Sequence, residues 1–199
     1  MLYAVFRIKG VVPMEYLANR MARWIAKNGG NEDSEEVYAY GIECTLNTLV
    51  TFGIILAVAA AINRIGITLI WFGFFLPLRH TSGGLHASSH IGCLIISLSV
   101  GIGCMLINPY LAGQTWFILA ALVVSILIIF TCAPVIHPNH PVPEHRIKKI
   151  RNASRSIIVV DSIVTLVFVC LGLRFLAAAA ILGILSASIS TFIGHFHSY

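Results

Sequence analysis

Charge is scarce in this sequence. Only 11% of its 199 residues are Asp, Glu, Lys or Arg, against about 25% in a soluble globular domain. With 58% hydrophobic residues, a single globular core of this size would leave a large apolar surplus. Lipid as the solvent of the outer faces accounts for that surplus. Also missing is a polar domain carrying a basic stripe, so no nucleic-acid partner is expected despite the net charge of +5. The basic clusters read instead as topology signals and lipid-headgroup contacts. Five cysteines occur, Cys44, Cys93, Cys104, Cys132 and Cys170, an odd number with no C-x-x-C spacing. A disulfide framework is not expected from them. Four of the five read as small buried apolar residues. The first 40 residues lack a compact apolar run followed by a small-residue cleavage site, so no cleavable signal peptide is expected.

What is present is a series of apolar helices. In residues 13–27, Met14, Leu17, Met21, Trp24 and Ile25 recur at helical spacing, with Arg20, Arg23 and Lys27 among the polar positions. Pro13 suits a first turn and Asn28-Gly29-Gly30 a stop. The spacing predicts an amphipathic helix lying in the membrane interface; the plainer alternative is a helix packed on the rest of the protein. Residues 31–36 are acidic and read as a solvated linker or a first helical turn. Six apolar segments follow, near 38–62, 65–78, 87–107, 114–136, 156–171 and 173–193. The second and fifth are short for a span of ~20 residues. The expected fold is an all-α polytopic membrane protein. It has about six transmembrane helices in residues 37–199, preceded by an amphipathic region in 1–36.

Charge placement predicts orientation. Arg7, Lys9, Arg20, Arg23 and Lys27 precede the spans, and Arg146, Lys148, Lys149, Arg151 and Arg155 follow the fourth. Six spans put both groups on one side, which the positive-inside rule makes cytoplasmic. Both termini and the loop after the second span fall on that side as well. The opposite loops hold only Arg64, Arg174 and the uncharged turn at 108–113.

That loop after the second span carries the chemistry. It reads Leu78-Arg79-His80-Thr81-Ser82-Gly83-Gly84-Leu85-His86-Ala87-Ser88-Ser89-His90-Ile91-Gly92-Cys93. Ionisable groups at membrane depth are costly, and so are functional candidates by default. Paired glycines allow a tight turn and close approach by a substrate chain. A Cys beside a His meets the needs of a thiol peptidase. The imidazole takes the thiol proton, then returns it to the leaving amine.

The run Arg79, Gly83-Gly84-Leu85-His86-Ala87 and Cys93, after two apolar segments, resembles the signature of the accessory gene regulator B (AgrB) family. Tyr40-Gly41-Ile42-Glu43 and Ala133-Pro134-Val135 before a basic stretch support the resemblance, which covers most of the chain. Members are membrane peptidases of Gram-positive quorum sensing that act on a short AgrD-like propeptide. The resemblance implies that Cys93 is the nucleophile and His86 the general base and acid, with no metal or cofactor. It implies release of the propeptide's C-terminal tail and closure of a thiolactone or lactone ring in a bacterial cell membrane. On a straight helix, however, His86 and Cys93 would lie roughly 10.5 Å apart along the axis, and His90 would be the nearer neighbour.

Supporting roles attach to Arg79, Gly83 and Gly84, and to Arg146, Lys148 and Lys149 as attractors of an acidic substrate tail. Glu43 reads either as an orienting partner of His86 or as a helix-end carboxylate in a salt bridge, for example with Arg79. Asp161 is a costly carboxylate within the fifth segment; a contact with Arg155 or with another helix would relieve it. Small residues Ala177–Ala180 and Gly183 favour close helix packing, and a homodimer contact is one expectation from them. Two rival readings remain at this stage. His86, His90 and Cys93 fall at i, i+4 and i+7, the spacing of a zinc site on one helix face. A non-enzymatic transporter would also use several spans, although no matched pair of broken helices is visible.

Overall fold

The computed structural model describes residues 13–28, 35–84, 90–136 and 144–197. Seven helices hold 90% of these residues, and no strand occurs among them. They are α1 (Pro13–Lys27), α2 (Glu35–Ala61), α3 (Ile65–Ser82), α4 (His90–Leu111), α5 (Thr115–Cys132), α6 (Glu144–Cys170) and α7 (Arg174–His197). Five of them contain stretches long and apolar enough to cross a membrane: Gly41–Ala61, Gly92–Leu111, Thr115–Cys132, Arg146–Cys170 and Arg174–Phe196. The expectation was about six. The helix that falls short is α3, whose last turn is the polar Arg79-His80-Thr81-Ser82.

Local sequence explains the breaks. Asn63 takes a left-handed φ of 56° at the end of α2. Arg64 N then donates to Ala59 O at 2.7 Å and Asn63 N to Ala60 O at 3.1 Å, a Schellman turn that satisfies the last carbonyls. Gly172, with φ 70°, does the same after α6, where Leu173 N reaches Phe168 O at 2.9 Å. Residues 156–193 are thereby two helices with a sharp reversal. One boundary differs from expectation. Arg146, Lys148, Lys149, Arg151 and Arg155 were expected in a loop, yet α6 begins at Glu144 and includes all five. An apolarity pattern does not register a basic first half-helix, although Lys and Arg are good helix formers.

The chain divides into two compact units, residues 1–54 and 55–199, with α2 running through the division. In the first unit, α1 buries Ala18, Ala22 and Ala26 and leaves Tyr16, Leu17, Met21 and Trp24 exposed. Arg23 Nε lies 3.8 Å from Glu35 Oε1 across the gap to α2; both side chains are solvated, so the pair stabilises little.

In the second unit α7 is the hub, packed against α3, α4, α5 and α6. Ala177–Ala180 and Ala187 are buried, and so are Ile181 and Ile184. A Cβ on Gly183 would lie 2.8 Å from Trp71 O and 3.0 Å from Phe74 Cβ. Small residues thus let α7 meet the α3 backbone directly, as in membrane helix pairs generally. The close packing expected of 177–183 is present. It is satisfied inside one chain, so this stripe is not available as a homodimer surface.

Candidate functional site

The residues around the glycine pair meet at one end of the second unit. Arg79 stands on the last turn of α3, half-buried, and Ser82 closes the helix completely buried. Gly83 and Gly84 then turn the chain with φ of 71° and 142°, values that side-chain-bearing residues rarely adopt. Space also requires glycine at both. A Cβ on Gly83 would lie 2.5 Å from Val135 O, and one on Gly84 would strike Arg79 Nη1 and lie 2.8 Å from Ser190 Oγ. The Arg79 guanidinium therefore rests against the Gly84 backbone.

Three elements clamp this turn. Val135 N donates to Ser82 O at 2.9 Å, tying the segment after α5 to the end of α3. Thr191 Oγ1, on the last turns of α7, lies 2.8 Å from Ser82 Oγ and 3.3 Å from Gly83 O. Thr191 and Ser82 are both fully buried, where a satisfied hydroxyl pair specifies geometry strongly. Thr191 and Ser190 were missed at the sequence level, whereas Val135 stands in the Ala133-Pro134-Val135 stretch noted there. The available signal was polar hydroxyls within an otherwise apolar last segment.

Cys93 lies in the first turn of α4, half-buried. It is within electrostatic reach of Arg79, which lies beyond the apolar spans. Burial lowers the pKa of Arg79 from its ordinary value, and the Cys93 sulfur opposes that shift. Arg79, Gly83 and Gly84 are thus brought together, and Cys93 is linked to them by its electrostatic influence on Arg79. His86 lies outside the described residues, as does the His90 side chain, so the spacing of the zinc reading falls outside them too. Glu43 is half-buried on α2, in the first compact unit. Arg146, Lys148 and Lys149 are exposed on the first turns of α6.

Three other side chains have settled positions. Arg155 was considered as a partner for Asp161, but its Nη2 donates to Phe130 O at 3.1 Å and its guanidinium lies over the Phe130 ring. Asp161 Oδ2 is buried with no hydrogen-bond partner among the described residues. Cys104 lies with Sγ 3.5 Å from Ser186 Oγ between α4 and α7, a packing role of the kind expected for four of the cysteines.

A set of apolar helices holding an arginine, a glycine turn and a cysteine at one end defines a multi-pass membrane protein with a polar site at the bundle's edge. The family model for accessory gene regulator B matches residues 18–192. The chain belongs to the AgrB family, and this membership supports involvement in the agr quorum-sensing system. It is similar to an AgrB-like protein of Listeria innocua, 28% identical over 156 residues and 76% of each chain. An AgrB-like protein of Listeria welshimeri is 28% identical over 121 residues, 59% of each chain. One from Listeria monocytogenes is 26% identical over 156 residues, again 76% of each chain. No solved structure matches the chain.

Proposed function

We propose that this protein is a membrane cysteine endopeptidase that removes the C-terminal tail of an AgrD-like propeptide and promotes its cyclisation. The observation that supports this most is the packing of Arg79 against the pinned Gly83-Gly84 turn, with Cys93 in the first turn of α4 close enough to influence the Arg79 charge. His86 takes the Cys93 proton, and the thiolate attacks the scissile carbonyl. The C–N bond breaks as the imidazolium returns the proton to the leaving amine. Arg79 supplies positive charge where the thiolate and then the tetrahedral oxygen carry negative charge. The acyl thioester on Cys93 keeps the acyl group reactive. An internal Cys or Ser of the substrate attacks it, His86 takes that proton, and the Cys93 thiolate leaves as the ring closes. Water is the competing nucleophile, and a site at the lipid boundary disfavours it.

The chain crosses the membrane six times in this reading, with α3 as the sixth pass. Support comes from helix ends. Contacts of Gly83 with Val135 and of Gly84 with Ser190 gather the ends of α3, α5 and α7 at one end of the unit. Asn108 Nδ2 donates to Phe175 O at 3.0 Å, joining the end of α4 to the start of α7 at the other. Strict alternation then requires α3 to traverse. The end holding the site is cytoplasmic by the basic charge of α6. The exposed Tyr16, Leu17, Met21 and Trp24 of α1 suit a helix lying in the membrane interface.

Reconstitution in lipid vesicles with a synthetic AgrD-like propeptide tests the enzyme. Cys93→Ser is expected to insert normally and to abolish cleavage, because a serine hydroxyl is hardly ionised near neutral pH. Wild-type turnover by that variant would end the cysteine-peptidase reading.

A further inference from the structure

The basic run at the start of α6 is not one surface. A helix turns by about 100° per residue, so Lys148, Arg151 and Arg155 share a face from which Arg146 and Lys149 are turned away. That face, together with Ile147 and Asn152, lines an open cavity of ≈ 460 Å³ along the surface of α6. Lys148 and Arg151 have no hydrogen bond or ion pair among the described residues. Arg155 is fixed from behind: it donates to Phe130 O, and its guanidinium sits 5.1 Å from the Phe130 ring centroid. Its Nε is buried with no hydrogen-bond partner among the described residues. No acidic residue occurs between Glu144 and Asp161 to balance the three cations.

Helix length sets the depth of this cavity. α6 has 27 residues, about 40 Å at 1.5 Å per residue, against a hydrocarbon core of about 30 Å. Counting about twenty residues back from Cys170 reaches Arg151. Lys148 and Arg151 therefore stand at the headgroup level. Arg155 lies one turn deeper, its stem against Phe130 and its charge directed back toward the surface.

We propose that this cavity holds the phosphate of an anionic phospholipid headgroup. Arginine forks match phosphate oxygens in geometry as well as charge, and clustered basic residues at the membrane surface attract anionic headgroups. Ile147 offers apolar contact to the glycerol end of the lipid. Arg146 and Lys149 lie on a different face of the helix, whereas Arg155, half-buried against Phe130, sits deeper than the exposed Lys148 and Arg151. The inference goes beyond the peptidase reading and holds whether or not Cys93 is a nucleophile.

The test uses the full chain in neutral detergent, with bound lipid counted by native mass spectrometry. Phosphatidylglycerol is expected to be retained and phosphatidylcholine not. Lys148→Gln/Arg151→Gln removes two cations that make no internal bond, leaving the Arg155 contact with Phe130 in place. Phosphatidylglycerol retention by this variant should fall by roughly thirtyfold. Arg146→Gln/Lys149→Gln carries the same charge change off the cavity and should stay within about twofold. Neither inorganic phosphate nor a short Glu-rich peptide should displace the lipid. Equal losses in the two double variants would overturn the proposal in favour of diffuse charge. Displacement by inorganic phosphate would overturn it in favour of a free anion site, and displacement by the peptide in favour of a peptide site.

Discussion

Which base serves Cys93 is the sharpest question at the residue scale. His86 and His90 both precede it, and the first turn of α4 contains His90 and Cys93 together. A base must reach the thiol and remain able to protonate the leaving amine, so only one should be indispensable. The family pattern selects His86. His86→Ala is expected to eliminate cleavage, whereas His90→Ala should keep a substantial part of it. The zinc reading gives a different pattern, with both histidines essential and activity lost to a strong chelator. A straight-helix Cys–His pair gives a third, with His90 essential and His86 dispensable. Cleavage by both variants at equal membrane levels, with and without chelator, separates the three. The pattern Arg79, Gly83-Gly84, His86, Cys93 was legible because its residue types are rare among apolar helices. Its support was not. Thr191 lies 108 residues from Gly83 and shows as a contact only when α7 folds back along α3.

Helix boundaries carry the next lesson. Breaks marked by a left-handed residue, at Asn63 and Gly172, were readable as turns between apolar segments. The start of α6 was not, because charge hid a helix that continues into an apolar span. Two substitutions test how the elements are held. Gly183→Val would push a side chain into Trp71 O, with a Cβ already only 2.8 Å away. Backbone cannot yield as a side-chain tip does, so a loss of about 1–3 kcal/mol is expected, seen as a lower unfolding temperature in detergent. Thr191→Val keeps the shape and removes the hydroxyl beside Ser82 and Gly83 O. The stability cost should be only about 1 kcal/mol. If the clamp positions the turn for catalysis, kcat falls severalfold while KM is kept, and Thr191→Ser restores it. Equal changes in kcat for the Val and Ser variants would assign Thr191 to packing alone.

At the scale of the whole molecule, the proposed six-pass reading puts the glycine turn, the start of α6 and the end of α7 on one side of the membrane. Which side is a matter of charge. Arg146, Lys148, Lys149, Arg151 and Arg155 stand within three turns of each other on α6, and such clusters are retained in the cytoplasm. A cysteine introduced at Lys148, in a background where the native cysteines other than Cys93 are alanine, should resist an impermeant thiol reagent in intact cells. It should react after permeabilisation. Labelling in intact cells would invert the topology. In the proposed orientation Arg146 and Lys149, on the face turned away from the α6 cavity, are exposed to a propeptide approaching from the cytoplasm. Attraction of an acidic tail raises its local concentration without touching the chemistry. Arg146→Gln/Lys149→Gln is therefore expected to raise the apparent KM for an acidic-tailed substrate severalfold at low salt, with kcat nearly unchanged. The difference from wild type should shrink as ionic strength rises, because screening removes from the wild type what the variant already lacks. An apparent KM independent of salt in both proteins would leave these two residues a role in topology alone.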